Sequence, residues 1–238
     1  MIELGLPGAR VAFTTRLGGV SDGPYSSLNL GILTDDDPER VSRNRRLMAD
    51  SLGIPADSIA MGWQVHGAEI AEWGAPPPAG RDGFARPGAE LQKVDGHATS
   101  VAGLALLVLA ADCLPVALAA PGRIAIVHCG WRGLRAGVIA RAVASFREPP
   151  AAAIGPGIGR CCYEVGDEVR DAFADLDDVA AGRMLDLRAV ADAKLRAAGV
   201  SQLYHVALCT SCRADLFFSH RRDGGVTGRQ AGVVWLSR

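Results

Sequence analysis

Histidine is scarce in this chain: there are five among 238 residues, and no two form a His-x-His pair. Multicopper oxidation needs roughly ten imidazole nitrogens, mostly in such pairs, together with a Cys–His blue-copper site. The residue inventory therefore excludes a laccase-type copper apparatus. Long hydrophobic runs are also lacking. The longest, residues 101–111, has about ten residues, half of what a membrane-spanning helix needs. The N-terminal stretch carries Glu3 and no apolar core, so it does not read as a secretory signal. Nor is there a charge excess. The net charge is −1, which favours neither nucleic acid nor an anionic membrane as a partner. The expected compartment is the cytoplasm, where thiols stay reduced. The six cysteines are then fillers, nucleophiles or metal ligands, not three disulfides.

What is present reads as globular. Apolar residues make up 49% and charged residues 21% of the chain, both ordinary values. A chain this long buries roughly 70% of its unfolded surface. Loop-like stretches at 16–37 and 74–88 are too short and irregular to be linkers, and no internal repeat is visible. A single domain over residues 1–238 is expected. Asp37-Pro38-Glu39 reads as an N-cap with proline at the first helical position, opening a helix to Leu52 that stops at Gly53. Further helices are expected over 133–146, 165–176 and 187–198, the last stopping at Gly199. Strands are expected over 11–14, 104–110, 116–120, 124–127, 203–208 and 233–236, with Pro121-Gly122 turning a hairpin. Hairpins mixed with helical crossovers predict an α+β fold of mixed sheets rather than a doubly wound parallel one.

Three segments carry a metal-ligand type beside an expected strand: Gln64-Val65-His66-Gly67, Ala111-Asp112-Cys113-Leu114-Pro115, and His128-Cys129-Gly130-Trp131-Arg132-Gly133. Strand design gives no reason to set Asp112-Cys113 into an apolar run. After the hairpin, His128 is expected beside Cys113. One thiolate and two imidazoles suit zinc, and three protein ligands leave a fourth position open. At this level a Cys–His nucleophile pair without metal, or a buried structural pair, remains open. Arg132 next to an expected helix N-terminus forms a candidate anion site close to His128.

Other residues carry weaker signals. Gly155 to Gly159 lacks the Lys-Ser/Thr of a phosphate-binding P-loop and reads as a tight turn. The Cys209-Thr210-Ser211-Cys212 spacing could join Cys161-Cys162 in a four-thiolate zinc site or act as a redox pair. Adjacent cysteines are awkward joint ligands, however, and the surrounding thioredoxin-like pattern is lacking, so all four read as buried thiols. The stretch from Ser219 through His220 and Arg221 to Asp223 fits a substrate contact and a solvated turn equally. His97 and His205 read as structural.

Together the motifs carry a resemblance. Thr14-Thr15-Arg16 with Gly18-Gly19, Ser27-Leu28-Asn29-Leu30-Gly31, Gln64-Val65-His66-Gly67, Val94-Asp95-Gly96 and Ala111-Asp112-Cys113-Leu114-Pro115 come in order. They are followed by His128 to Gly133, Gly155 to Val165, Cys209-Thr210, Phe218-Ser219 and Thr227-Gly228-Arg229. Spread over nearly the whole chain, they resemble the laccase-domain family, also known as YfiH-like or bacterial polyphenol-oxidase proteins and as a peptidoglycan-editing factor. The resemblance implies a layered α+β fold and a zinc, ahead of copper, held by the catalytic trio His66, Cys113 and His128. It also implies phosphorolysis of adenosine, inosine and methylthioadenosine to free base and ribose 1-phosphate, with adenosine deamination in the same site. Arg16 enters as a second phosphate candidate from the family motif alone. The partners implied are purine nucleosides and phosphate, with a homodimer as the assembly the family allows. The stretch 81–92 looks longer than the family pattern. The rival functions are a cysteine hydrolase acting on a cell-wall precursor, a polyphenol oxidase, and a non-catalytic nucleoside-binding regulator.

Copper loading is expected to give neither an intense blue absorption nor rapid reduction of dioxygen to water; visible spectroscopy and an oxygen electrode check both.

Overall fold

The computed structural model describes residues 1–78, 84 and 91–237. In chain order it begins with β1 (Ile2–Leu6), β2 (Ala9–Phe13), α1 (Pro38–Leu52), β3 (Ile59–Ala60), β4 (Ile70–Trp73), β5 (Gly96–Thr99) and β6 (Ala105–Ala110). Next come β7 (Leu114–Ala120), β8 (Arg123–Cys129), α2 (Trp131–Arg135), α3 (Val138–Ala144), β9 (Ala151–Ile154) and α4 (Asp167–Asp171). The remaining elements are β10 (Ala180–Ala181), β11 (Met184–Leu185), α5 (Leu187–Ala197), β12 (Leu203–His205) and β13 (Gln230–Leu236). A five-stranded sheet has the order β1-β2-β13-β6-β3, and a six-stranded sheet the order β12-β9-β7-β8-β5-β4. Pairing is parallel at β3–β6, β12–β9 and β4–β5 and antiparallel between the other neighbours. These mixed sheets make the α+β fold that the strand pattern predicts.

The apolar runs follow from the layering. Successive strand residues face opposite sides, and here both sides are covered. Val11, Phe13, Leu106 and Val108 pack with Ala117, Ala119, Ile124 and Ile126 between the two sheets. Ala12, Ala105, Leu107 and Val233 face outward onto Met48, Ala49 and Leu52 of α1. Val116, Leu118, Ala125 and Val127 cover the outer face of the six-stranded sheet and meet Leu134, Ile139 and Val190 of α2, α3 and α5. A strand buried on both faces loses its polar alternation, which is why β6 reads ALLVLA.

The helix that the sequence marks most strongly is also the best matched. Asp37 caps α1 by accepting from the Glu39 N–H at 2.8 Å, with proline at N1, and Gly53 closes it at φ +66°. Arg45 departs from the usual pattern, lying fully buried on the inner face of α1. Its guanidinium donates to Leu30 O at 3.0 and 2.7 Å and to Phe84 O at 2.8 Å. Burial lowers its pKa to about 9.

Several expectations change. The helix expected over 133–146 is two short helices, because Gly137 takes the left-handed conformation at φ +86° between α2 and α3. The helix expected over 165–176 is the five-residue α4. The aspartates that follow favour turns over helix, and Asp178 itself adopts φ +58°. β12 stops at His205, and the chain curls so that Val206 N–H reaches Ile154 O at 2.9 Å. Its partner β9 is the run AAAI, which has too little β-branched character to be read as a strand. The stretch 81–92 lies largely outside the described residues.

Gly155, just beyond β9, sits where the two sheets meet. A Cβ there would lie 2.5 Å from the Phe13 ring and 2.8 Å from Pro115 Cγ. Gly155→Ala is expected to lower stability by about 1–3 kcal/mol through overpacking. Gly74→Ala, where nothing lies within 4 Å, should be nearly neutral. Urea denaturation of the two variants checks the difference.

Candidate metal centre

Cys113 immediately precedes β7, His128 lies near the end of β8, and the register pairs Leu114 with Cys129 and Pro115 with His128. His66 is not at a strand edge as expected but lies in the loop between β3 and β4, at φ +59°. That backbone conformation is costly for a residue with a side chain, and the neighbours hold it in place. The Gln64 side chain donates to Leu109 O at 2.7 Å and accepts from Leu109 N–H at 2.8 Å, pinning the loop to β6. The backbone N–H groups of Val65, His66 and Gly67 then close on the Asp95 carboxylate at 3.0, 3.0 and 2.7 Å.

Asp95 is fully buried and receives a fourth contact, from His128 Nδ1 at 2.8 Å. Burial alone would raise its pKa, but the His128 ring and the Gly67 and Val65 N–H groups hold the carboxyl below its usual range. An ionised Asp95 keeps the proton on His128 Nδ1, which leaves Nε2 free as a ligand. Asp112 sets the other wall from φ +87°. Its carboxylate accepts from Thr210 Oγ1 at 2.6 Å and from Arg221 N–H at 2.7 Å, while its carbonyl accepts from Ile158 N–H at 2.8 Å.

His66, Cys113 and His128 each bring a ligand atom to within 4.8 Å of the other two. The two imidazole rings meet edge to face at 4.9 Å. Gly130 leaves them room, since a Cβ there would stand 2.9 Å from His66 Cδ2 and 3.0 Å from Cys113 Sγ. Burial alone would raise the Cys113 thiol, but the His128 and His66 rings outweigh it and lower it to about 6. Burial would likewise lower His128, yet Cys113 and Asp95 raise it to about 9. The site thus favours a thiolate facing a positive charge, a role that a divalent cation fills when it replaces a ring proton. Two nitrogens, one sulfur and an oriented second layer fit a metal ion with an open fourth position.

The three donors lie on the wall of a cavity of about 450 Å³, within the range of roughly 300–1,000 Å³ typical of small-molecule sites. Met61, Trp63 and Leu91 contribute apolar lining, and Arg132, Tyr163 and Arg221 contribute polar and charged lining. Arg132 stacks on Trp131 at 4.4 Å, and no carboxylate among the described residues pairs with it. It belongs to α2 rather than preceding a long helix. Five residues carry little macrodipole, so its guanidinium outweighs any effect of the helix end. Arg221 stacks on Tyr163 at 5.3 Å and donates to Glu164 O at 2.7 Å. Tyr163 is raised to about 12, chiefly by burial and the Cys113 thiolate, against the pull of Arg221 and Arg132.

Arg16 is not among the cavity-lining residues. Its guanidinium donates to Ser26 O at 2.6 Å and Ala214 O at 3.2 Å and lies over Phe218. His97 is buried against Trp73, and His205 faces Asp192 at 2.9 Å. His220 and Arg221 line the cavity, so that stretch is more than a solvated turn. Sequence reading missed Asp95 and Tyr163 as site residues. The available signal was an aspartate between apolar Val94 and strand β5, where a charge has no solvent to face.

These features define an α+β protein with a three-donor group that could hold a metal ion, opening into a cavity of small-molecule size. The chain belongs to the family described as multi-copper polyphenol oxidoreductase laccase, which matches residues 10–237. It is similar to purine nucleoside phosphorylase SCO2081 of Streptomyces coelicolor, with 41% identity over 247 residues that cover 96% of both chains. With purine nucleoside phosphorylase YlmD of Geobacillus stearothermophilus it shares 39% identity over 249 residues, covering 95% of this chain and 90% of that one. The crystal structure of YlmD superposes with a TM-score of 0.87 at 36% identity, covering 97% of this chain and 93% of that one. Neisseria meningitidis protein NMB0706 gives a TM-score of 0.86 at 33% identity, over 100% and 99% of the two chains.

Asp95→Asn removes the charge that holds both histidines while preserving its size. Metal affinity is expected to fall about 10–100-fold with the fold retained. Chelator competition and far-ultraviolet circular dichroism check the two halves, and unchanged affinity would contradict the role given to Asp95.

Proposed function

We propose that this protein is a zinc-dependent purine nucleoside phosphorylase that also deaminates adenosine. One observation carries the reading: three candidate metal donors share a cavity with apolar and aromatic lining and with an arginine that no carboxylate among the described residues pairs with. The family relatives named as purine nucleoside phosphorylases support it. Two imidazoles and one thiolate form a donor set suited to zinc. When bound, zinc supplies a fixed positive charge that polarises oxygen at the reacting centre.

The chain's own residues supply the remainder. Trp63, Met61 and Leu91 offer apolar lining for a purine, whose ring faces stack on aromatic side chains such as that of Trp63. Arg132, with Arg221 across Tyr163, provides positive charge for a phosphate dianion. Arg16 is already engaged by backbone carbonyls, so Arg132 takes the phosphate role in this reading. Phosphorolysis breaks the bond from ribose C1′ to the base nitrogen and forms one to a phosphate oxygen, and the departing base takes up a proton. Deamination replaces the 6-amino group with oxygen from water and releases ammonia. Asp95 fixes the His128 tautomer for both reactions.

A second reading is favoured by the alignment of Cys113, His128 and Asp95 itself, since a thiol, an imidazole and an orienting carboxylate also make a nucleophilic triad. A cysteine hydrolase of that kind does not need His66, whose convergence on the same point supports the metal reading.

Purified protein incubated with adenosine should yield inosine without phosphate, and adenine with ribose 1-phosphate when phosphate is added; chromatography of the products checks this. Arg132→Ala should slow the phosphate-dependent reaction about 10–100-fold, the loss of a charge-assisted contact worth roughly 1.5–3 kcal/mol, and leave most of the deamination intact. Equal loss of both would remove the phosphate role. Cys113→Ala should lose the zinc and both activities, and full zinc retention in elemental analysis would rule out this ligand set.

A further inference from the structure

Five cysteines lie outside the donor trio described above; Cys129 is buried in the core, and the other four converge. Cys161, Cys162, Cys209 and Cys212 place their sulfurs within 4.8 Å of one another. None of the four is buried, contrary to the expectation of buried thiols. The fold brings them together because β9 and β12 are parallel neighbours that leave the sheet at the same end. Beyond the strands the two chains stay joined: Gly157 bridges Cys209, and Thr210 N–H donates to Gly157 O at 3.1 Å. Each chain then makes a turn. Cys162 N–H returns to Gly159 O at 2.9 Å, and Arg213 N–H returns to Cys209 O at 3.0 Å. The first turn overcomes the awkwardness of adjacent cysteines, since Cys161 and Cys162 each reach Cys212 Sγ at 3.4 Å.

We propose that Cys161, Cys162, Cys209 and Cys212 form a second, structural metal site that holds one zinc ion in a closed tetrathiolate shell. Zinc–sulfur bonds of about 2.3 Å place the corners of a tetrahedron roughly 3.8 Å apart. The observed spacings, from 3.4 Å to within 4.8 Å, bracket that edge. A disulfide would instead need one pair of sulfurs at about 2.05 Å and would leave the other two without a purpose. Gly159 N–H donates to Cys209 Sγ at 3.2 Å, the kind of contact that steadies a thiolate. A Cβ on Gly159 would lie 3.2 Å from both Cys161 Sγ and Cys209 Cβ, so the turn passes as close to the sulfurs as backbone can. Binding breaks four S–H bonds, releases four protons to solvent and forms four metal–sulfur bonds, with no change of oxidation state.

The site sits behind the cavity wall. Ile158 and Tyr163, on either side of the Gly159 turn, line the cavity. Thr210, inside the CxxC turn, donates to Asp112 at 2.6 Å and accepts from Arg222 at 2.8 Å. An ion here would tie together two segments some 50 residues apart in sequence and hold Tyr163 and Asp112 in register. Four protein ligands leave no open position, so the role is structural.

The test uses the full chain, purified reduced and without chelator. In the His66→Ala/Cys113→Ala double variant, which removes the first centre, one zinc per chain should remain by elemental analysis. Replacing it with cobalt(II) should give an intense sulfur-to-cobalt charge-transfer band with tetrahedral visible transitions. Adding Cys209→Ser or Cys212→Ser should abolish both metal and band. Should those serine variants fail to fold, alkylation of the wild type decides: the four cysteines should resist iodoacetamide until a chelator is added. A folded double variant free of zinc, iron in place of zinc, four freely alkylated thiols, or a disulfide among them by non-reducing mass spectrometry would each overturn the proposal. These readouts need no turnover, so they stand or fall apart from the nucleoside reading.

Discussion

A buried carboxylate with no water to solvate it must be satisfied by the protein, and Asp95 meets that demand by organising everything around it. Leaving such a charge uncompensated costs several kcal/mol. Three consecutive N–H groups of the 65–67 loop and the His128 ring surround it instead. Those contacts hold His66 in a left-handed conformation it would not choose alone, and they aim the free nitrogen of His128 toward Cys113. The metal-ligand geometry is thus a consequence of solvating one anion. Removing Asp95 would release both histidines together, because they share one partner.

The two-sheet core explains why the site lies where it does. With strands covered on both faces, polar chemistry has no place within the sheets and collects where strands end. Cys113 stands just before β7, His128 near the end of the adjacent β8, and Asp95 just before β5 on the far side of β8. Trp63 from the loop before β4, Arg132 from α2, and Ile158 and Tyr163 from the 155–163 segment complete the cavity lining. Two of the four clustered cysteines, Cys161 and Cys162, belong to that same segment, between its lining residues Ile158 and Tyr163.

The family name refers to copper oxidation, but the donor inventory does not meet its requirements. Of the five histidines, two belong to the candidate metal centre, His220 lines the cavity, and His97 and His205 are engaged elsewhere. A trinuclear copper cluster has no set of imidazoles here. A single ion with an open position is what the chemistry of these residues accommodates.

Much was legible in the chain itself where the signal is local. The Asp37-Pro38 cap, the Gly53 stop, the Pro121-Gly122 turn and the strands expected over 104–110, 116–120, 124–127 and 233–236 depend on neighbours in sequence, and they appear close to where expected. Local residue type also singled out His66, Cys113 and His128, since an Asp-Cys pair in a strand run has no packing purpose. Features that depend on contacts through space were not legible. β9 is a strand because β7 and β12 pair with it, not because of its alanines. Nothing in the sequence singles out Arg45, whose burial depends on the distant acceptors Leu30 O and Phe84 O. Asp95 and the cysteine cluster likewise acquire their roles from partners about 30 and 50 residues away. Short-range propensities and caps can be read from sequence because their partners lie within a few residues. Solvation of buried charge and convergence of sulfur depend on which distant segments the sheets bring together, and only the tertiary structure decides that.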